Sequence, residues 1–248
     1  MDKDDFYNKY VLYNEILAKL SNKEKINWNE NFDHRFIYNS VAIEGNSCTH
    51  QEVTVIMTDG IVPCDKPFKE VDEIRYHQKA WNFAKRSIDN KPLDENLIKE
   101  IHRQVVYYDE YALPGEYRNV NVFIRNADFH PPKFHHLPLY LGGYYRNLSE
   151  KEFSFETAIN RAAYVHAELT KIHPFIDGNG RTSRIIMNYV LMQAKMLPIA
   201  ITSFGKSQYF DALEVYDESS DTSNLEEIIK YHVEKELELF LDIYDYLI

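Results

Sequence analysis

Residues 173–184 read HPFIDGNGRTSR, and the organisation of the whole chain follows from them. Pro174 disfavours helix at the residue before it, so the helical pattern running up to Lys171 ends there and presents the His173 imidazole from a turn. Gly178, Asn179 and Gly180 then form a tight loop leading into a second helix, in which Ile185, Ile186, Tyr189 and Val190 recur at helical spacing. A glycine-rich loop feeding a helix N-terminus aims free backbone N–H groups and the positive end of the helix dipole at one point. Such a point binds phosphate.

Arg181 and Arg184 lie three apart on that helix and share one side of its first turn, so both can hold further phosphate oxygens. Asp177 stands at the loop edge, where a single carboxylate beside bound phosphates suits Mg²⁺. An ordinary histidine titrates near about 6.5, so His173 can accept a proton from an attacking hydroxyl at neutral pH. A lone Gly-x-Gly, or a lone His before Pro, says little. The joint occurrence of His, Asp, Gly-Asn-Gly and two Arg within twelve residues answers no packing requirement and spells metal-assisted phosphoryl or nucleotidyl transfer. No Gly-x-x-x-x-Gly-Lys-Ser/Thr loop and no kinase-type glycine loop with its partner lysine is present.

The same stretch resembles the motif of the Fic family, His-Pro-Phe-x-Asp/Glu-Gly-Asn-Gly/Lys-Arg-x-x-Arg, with every fixed position matched. The resemblance implies an all-α, Fic-like helical bundle carrying a small β-hairpin flap, and transfer of AMP from ATP to a Ser, Thr or Tyr hydroxyl of a target protein. It makes His173 the general base and Asp177 the Mg²⁺ ligand. Gly178, Asn179 and Gly180 become the anion hole for the α- and β-phosphates, with Arg181 on the β- and Arg184 on the γ-phosphate. Thr182 and Ser183 fall inside the ATP-binding segment, and Phe175 pins the loop to the core. Kinase-like members carry Lys where this chain has Gly180, which argues against phosphate transfer; UMP or phosphocholine remain alternative donor groups.

A second stretch, FDHRFIYNSVAIEGNS, forms a short helix over about 35–46 that Gly45 ends. Ser40 and Glu44 share a face at a spacing of four. On composition alone Glu44 is a solvated residue at a helix end, but a negative charge at a helix C-terminus is slightly unfavourable against the dipole, which leaves room for a partner. Ser40, Glu44 and Gly45 resemble the inhibitory motif of the Fic class whose inhibitory helix precedes the core. In that class the glutamate pairs with the motif's second arginine, here Arg184, and takes the room of the γ-phosphate.

With 248 residues, of which 44% are hydrophobic and 14% aromatic, the chain can bury a substantial core. Its net charge of −11 argues against nucleic acid and anionic membrane as partners, so ATP depends on local arginines. Cys48 and Cys64 form no disulfide framework and no metal-ligand pattern, which suits a reduced compartment. The start, MDKDDFYNKY, lacks a basic and then apolar leader, and no run approaches the ~20 apolar residues of a membrane span. A soluble, cytoplasmic protein is the expectation.

Helices are expected over 6–20, after a Thr49–Glu52 capping box, and over 68–88, 137–148 and 155–172, with another after Pro92. His102 and His166 read as satisfied helix histidines. Val120, Val122 and Ile124 alternate with polar residues before turn chemistry at 125–128 and Pro131-Pro132, which reads as a β-hairpin. The pattern Gly115, Tyr117, Arg118 and then Pro-Pro resembles the family's flap, where a target strand would dock beside Phe123 and Ile124. Tyr209 resembles the adenine-side aromatic, or is a first-turn core residue. Residues 226–248 close the bundle or make a homo-oligomer contact.

Residues 1–60 are expected to form an N-terminal helical part with the inhibitory helix, and 61–248 the core. The main functional reading is an autoinhibited adenylyltransferase using ATP and Mg²⁺, open to self-modification. The alternatives are a hydrolase that removes AMP through Glu44 and a nucleotide-binding regulator with little turnover.

Overall fold

Ser21 opens the longest described helix through a capping box: its hydroxyl accepts from Glu24 N–H (3.3 Å), while Glu24 Oε2 accepts from Ser21 N–H (2.8 Å). The computed structural model describes residues 3–124, 129–150 and 154–247. Among them are ten α-helices and no β-strand: α1 (Lys3–Lys19), α2 (Asn22–Glu44), α3 (His50–Asp59), α4 (Phe68–Ser87), α5 (Glu95–Val105), α6 (Leu137–Glu150), α7 (Ala158–Ile172), α8 (Asn179–Gln193), α9 (Lys206–Ser219) and α10 (Ser223–Ile243). None of these helices is long and apolar enough to cross a membrane.

At the centre lies α8, buried on every side from Arg181 to Leu191. Its most extensive neighbour is α7, and α2, α4 and α5 also pack against it. Ala158, Ala162, Ala163 and Ala167 are buried on α7, and such small side chains let helix axes approach closely. The loop joining α7 to α8 is the 173–178 segment, so the two best-packed helices hold the motif at both ends.

Both helix and hairpin expectations at the flanks of the motif need correction. The helix expected over 35–46 is the last part of α2, which begins at Asn22. Its first three turns are polar, and only Trp28 and Phe32, in line with Phe36, mark the buried stripe. Phe36 meets Trp81 of α4 at 4.6 Å between ring centroids, Trp81 Nε1 donates to Asp33 (2.6 Å), and Arg35 grips Glu236 of α10 with both terminal nitrogens (2.6 and 2.9 Å). These contacts fix how the last turn of α2 lies on α8.

The β-hairpin is not formed by the described residues, and its turn, 125–128, lies outside them. The two flanks are instead joined by side chains. Arg118 donates to the carbonyls of Val120 (2.9 Å) and Pro132 (2.5 Å), Asn121 Oδ1 accepts from Phe134 N–H (3.0 Å), and Phe123 meets His130 edge to face. Pro131 and Pro132 bring no N–H to a ladder, and Asn121 competes for the backbone donors a strand would use.

Candidate active site

His173 follows the last turn of α7 in the left-handed conformation (φ 48°), its N–H bonded to Leu169 O. Left-handed backbone is uncommon for a residue other than glycine and here turns the chain into the loop. Nδ1 lies 3.2 Å from Thr170 O. A carbonyl only accepts, so Nδ1 carries the hydrogen and Nε2 keeps the lone pair of a base. Burial is the main cause pulling the His173 pKa down to about 4, which keeps the ring neutral at physiological pH. Arg118, missed as a functional residue except as part of the family pattern, locks this turn. Its Nε donates to His173 O (2.8 Å) and its N–H to Pro174 O (2.9 Å).

Phe175 is fully buried and stacked on His102 of α5. Asn179 closes the loop with its side chain: Oδ1 accepts from Phe175 N–H (3.0 Å) and Nδ2 donates to Phe175 O (2.9 Å). Gly178 caps α8 at φ 77°, and a Cβ there would stand 2.6 Å from Val106 Cγ1. Glycine is therefore required twice, for its backbone and for its lack of volume. The first intrahelical bond of α8 runs from Thr182 N–H to Gly178 O. The N–H groups of Asn179, Gly180 and Arg181 have no acceptor among the described residues and form the open end of the helix dipole.

Around that end stand the charges. Asp177 is 46% exposed, and Oδ1 takes the Gly178 N–H (2.6 Å) and one Arg181 nitrogen (3.4 Å). Its Oδ2 accepts nothing from the described residues, so one carboxylate oxygen is free at the loop. Among the described residues no cluster of three or more acidic, His or Cys side chains converges. That donor set fits Mg²⁺, which takes one or two carboxylates and leaves its other positions to phosphate and water. Buried Arg181 also donates to Tyr108 OH (3.1 Å).

Arg184 meets α2. Its Nε donates to Ser40 Oγ (2.9 Å), and Nη2 to both Ser40 O (2.8 Å) and Glu44 Oε1 (2.7 Å). Glu44 thus has a partner at the helix C-terminus. Gly45 ends α2 at φ 101° and turns the chain away. Gly180 makes the meeting possible, because a Cβ there would lie 2.3 Å from Glu44 Oε1. The structure thus brings together His173, Asp177, Gly178, Asn179, Gly180, Arg181, Arg184, Ser40 and Glu44.

Other expected site residues stand apart from the open loop. Ser183 Oγ donates to Gly180 O (2.9 Å) and takes the Thr170 hydroxyl at the α7 seam, while Thr182 is wholly buried. Tyr209 is 1% exposed, hydrogen-bonded to His166 Nε2 (2.8 Å), and its hydroxyl also reaches the Arg184 guanidinium, so it borders the site from the buried side. Phe123 is 81% exposed.

Four histidines carry a stability prediction. Burial lowers the pKa of His77 well below the usual value, of His102 to about 4, of His166 to about 3 and of His173 to about 4. The unfolded chain titrates these groups near about 6.5, so it binds more protons than the folded chain as the pH falls. Stability is therefore full above that value and is lost on acidification, by on the order of 1 kcal/mol per pH unit for each histidine. Melting curves between pH 7 and 5 should show a steadily falling midpoint; a flat profile would contradict neutral burial of these rings.

Residues 92–191, which contain the whole loop and α8 up to Leu191, match the family model described as the Fic/DOC family. A protein adenylyltransferase Fic from Drosophila persimilis is 34% identical over 211 residues, 85% of this chain and 41% of that relative. The chain thus spans about two fifths of the length of the curated relatives it matches. The fold is shared with a Fic-domain signalling protein of Bacteroides thetaiotaomicron (TM-score 0.82, 23% identity, 96% of this chain and 97% of that one). It is shared more loosely with BepC of Bartonella tribocorum, solved with bound AMPPNP (TM-score 0.52, 18% identity, 71% and 90%). Residues 92–191, with the complete motif near their C-terminal end, are thus a segment of the Fic/DOC family within this chain.

Proposed function

We propose that the protein is an adenylyltransferase that moves AMP from ATP to a hydroxyl of a protein target, and that Glu44 holds it in check. The observation that carries the reading is the convergence of a neutral His173 with a free Nε2, three unbonded N–H groups at the start of α8, and two buried arginines. The naming of the Drosophila relative as an adenylyltransferase and the AMPPNP in BepC support the same donor.

In this reading the target oxygen attacks the α-phosphorus, its proton passes to His173 Nε2, and the bond to the bridging oxygen breaks to release pyrophosphate. The N–H groups of Asn179, Gly180 and Arg181, with the Arg181 guanidinium, stabilise the charge that develops on the phosphates. Asp177 is the residue that would hold Mg²⁺, which when bound supplies charge neutralisation of the leaving pyrophosphate. Residues 1–60 act as the regulatory part and 61–248 as the core. Phe123 and Ile124 offer the docking edge for the target.

Glu44 competes with the γ-phosphate for the one guanidinium fork of Arg184. The site is therefore occupied by the protein's own carboxylate until α2 yields.

The donor group is tested by supplying a cell extract with ATP radiolabelled at either the α- or the γ-phosphate, using Glu44→Gly protein. Label is expected on protein only from the α-position. Transfer from the γ-position alone would replace the reading with a kinase, and transfer from neither would remove the activity.

A further inference from the structure

Beyond the motif itself, the polar side chain most fully built into the site is His102, one turn from the end of α5 and 0% exposed. Its ring lies parallel to that of Phe175, with centroids 3.6 Å apart and planes at 7°. Nδ1 faces the N–H of Gly115 at 3.0 Å, and an amide N–H only donates, so Nδ1 holds the lone pair. Nε2 then carries the hydrogen and donates to the carbonyl of Asp177 at 2.9 Å. One neutral tautomer satisfies both bonds, and burial keeps the ring neutral.

The oxygen that His102 holds belongs to the peptide plane between Asp177 and Gly178. On the other side of that plane the Gly178 N–H is bonded to Asp177 Oδ1 (2.6 Å). Fixing the plane therefore fixes the carboxylate, with Oδ2 left outward, and the direction in which α8 starts. Gly178 has no room to shift toward this contact, since a Cβ there would lie 3.5 Å from His102 Cδ2 and closer still to Val106. At its second nitrogen the same ring holds Gly115, two residues before Tyr117 and three before Arg118. Tyr117 packs against Phe175, and Arg118 holds His173 O and Pro174 O.

We propose that His102 is a positioning residue for the transfer reaction: through the Asp177 carbonyl it aims the Asp177 carboxylate and the N–H groups of α8 at one point. The inference rests on the proposed function, and it assigns to α5 a part in the site that packing alone would not require. A buried phenylalanine would fill the same space and stack on Phe175 equally well. It would leave the Asp177 carbonyl and the Gly115 N–H without partners. Groups that orient a metal-binding carboxylate typically contribute about 10–100-fold in affinity or activity.

His102→Phe and His102→Gln, each in a Glu44→Gly parent, separate the roles. Phe keeps the stacking and loses both bonds; Gln keeps a donor and an acceptor and loses the stacking. In His102→Phe the Mg²⁺ concentration for half-maximal transfer is expected to rise, or kcat to fall, by about 10–100-fold, with partial recovery in His102→Gln. Amide exchange at Asn179, Gly180 and Arg181, read without nucleotide or metal, is expected to speed up in His102→Phe. Unchanged transfer, Mg²⁺ dependence and exchange in His102→Phe would overturn the proposal. So would losses that follow melting temperature equally in both variants. A parent that transfers no AMP would sink the proposed function instead, and His102 would still be judged by the exchange rates.

Discussion

Replacing His173 by alanine is expected to lower AMP transfer by about 10²–10⁴-fold, the range contributed by a positioned general base, while the fold survives. The imidazole makes one described side-chain bond, Nδ1 to Thr170 O, and the turn is held by bonds from Arg118 to main-chain carbonyls that the substitution leaves in place. The left-handed φ of 48° costs on the order of 1 kcal/mol with either side chain, so the substitution adds little strain. Nucleotide affinity should change little, because the phosphate donors belong to α8 and not to His173. Transfer kinetics, nucleotide titration and a melting curve check the three parts. A variant retaining full transfer would leave His173 without the role of base.

Glu44→Gly is expected to raise transfer by roughly 10–100-fold, corresponding to the ~1.5–3 kcal/mol of a hydrogen bond to a charged group. Glu44 Oε1 sits 2.7 Å from Arg184 Nη2, and among the described residues the buried guanidinium meets no other carboxylate. Because the glutamate side chain is 41% exposed, the lower end of the range suits it. Arg184 stays anchored in the variant by Ser40 Oγ and Ser40 O, so it remains aimed at the site. Gly180→Ala, by contrast, should break the pair without raising transfer, because the added methyl fills the room that Glu44 shares with the γ-phosphate. Its Cβ would stand 2.3 Å from Glu44 Oε1, and alanine is the better helix former by about 1 kcal/mol. Steady-state rates of Glu44→Gly against the unaltered chain check the prediction; equal rates would show that the Glu44–Arg184 pair restrains nothing.

The motif was legible because its chemistry is short-range. A proline before a turn, glycines before a helix and arginines one turn apart act within a few residues of one another. The last turn of α2 was legible for the same reason, through Ser40, Glu44 and Gly45, and so was the Thr49–Glu52 capping box. The first turns of α2 were not, since their burial depends on Trp28 and Phe32 meeting α10 and α4, partners distant in sequence. Alternation at Val120, Val122 and Ile124 suggested strand pairing, but Arg118 and Asn121 hold that segment by side-chain bonds. His102 and Arg118 were invisible as organisers because each acts on carbonyls far along the chain, of Asp177 and His173. Asn179 shows the same limit, as its side chain staples Phe175 while its N–H faces the open end of α8.

The central claim is that a base at His173 and a restraint at Glu44 act on one nucleotide site. It is tested most directly by incubating three proteins with α-labelled ATP, Mg²⁺ and a cell extract: the unaltered chain, Glu44→Gly, and Glu44→Gly with His173→Ala. Strong labelling of protein by Glu44→Gly alone is expected. Equal labelling by the first two, labelling that persists without His173, or none from any of the three would contradict it.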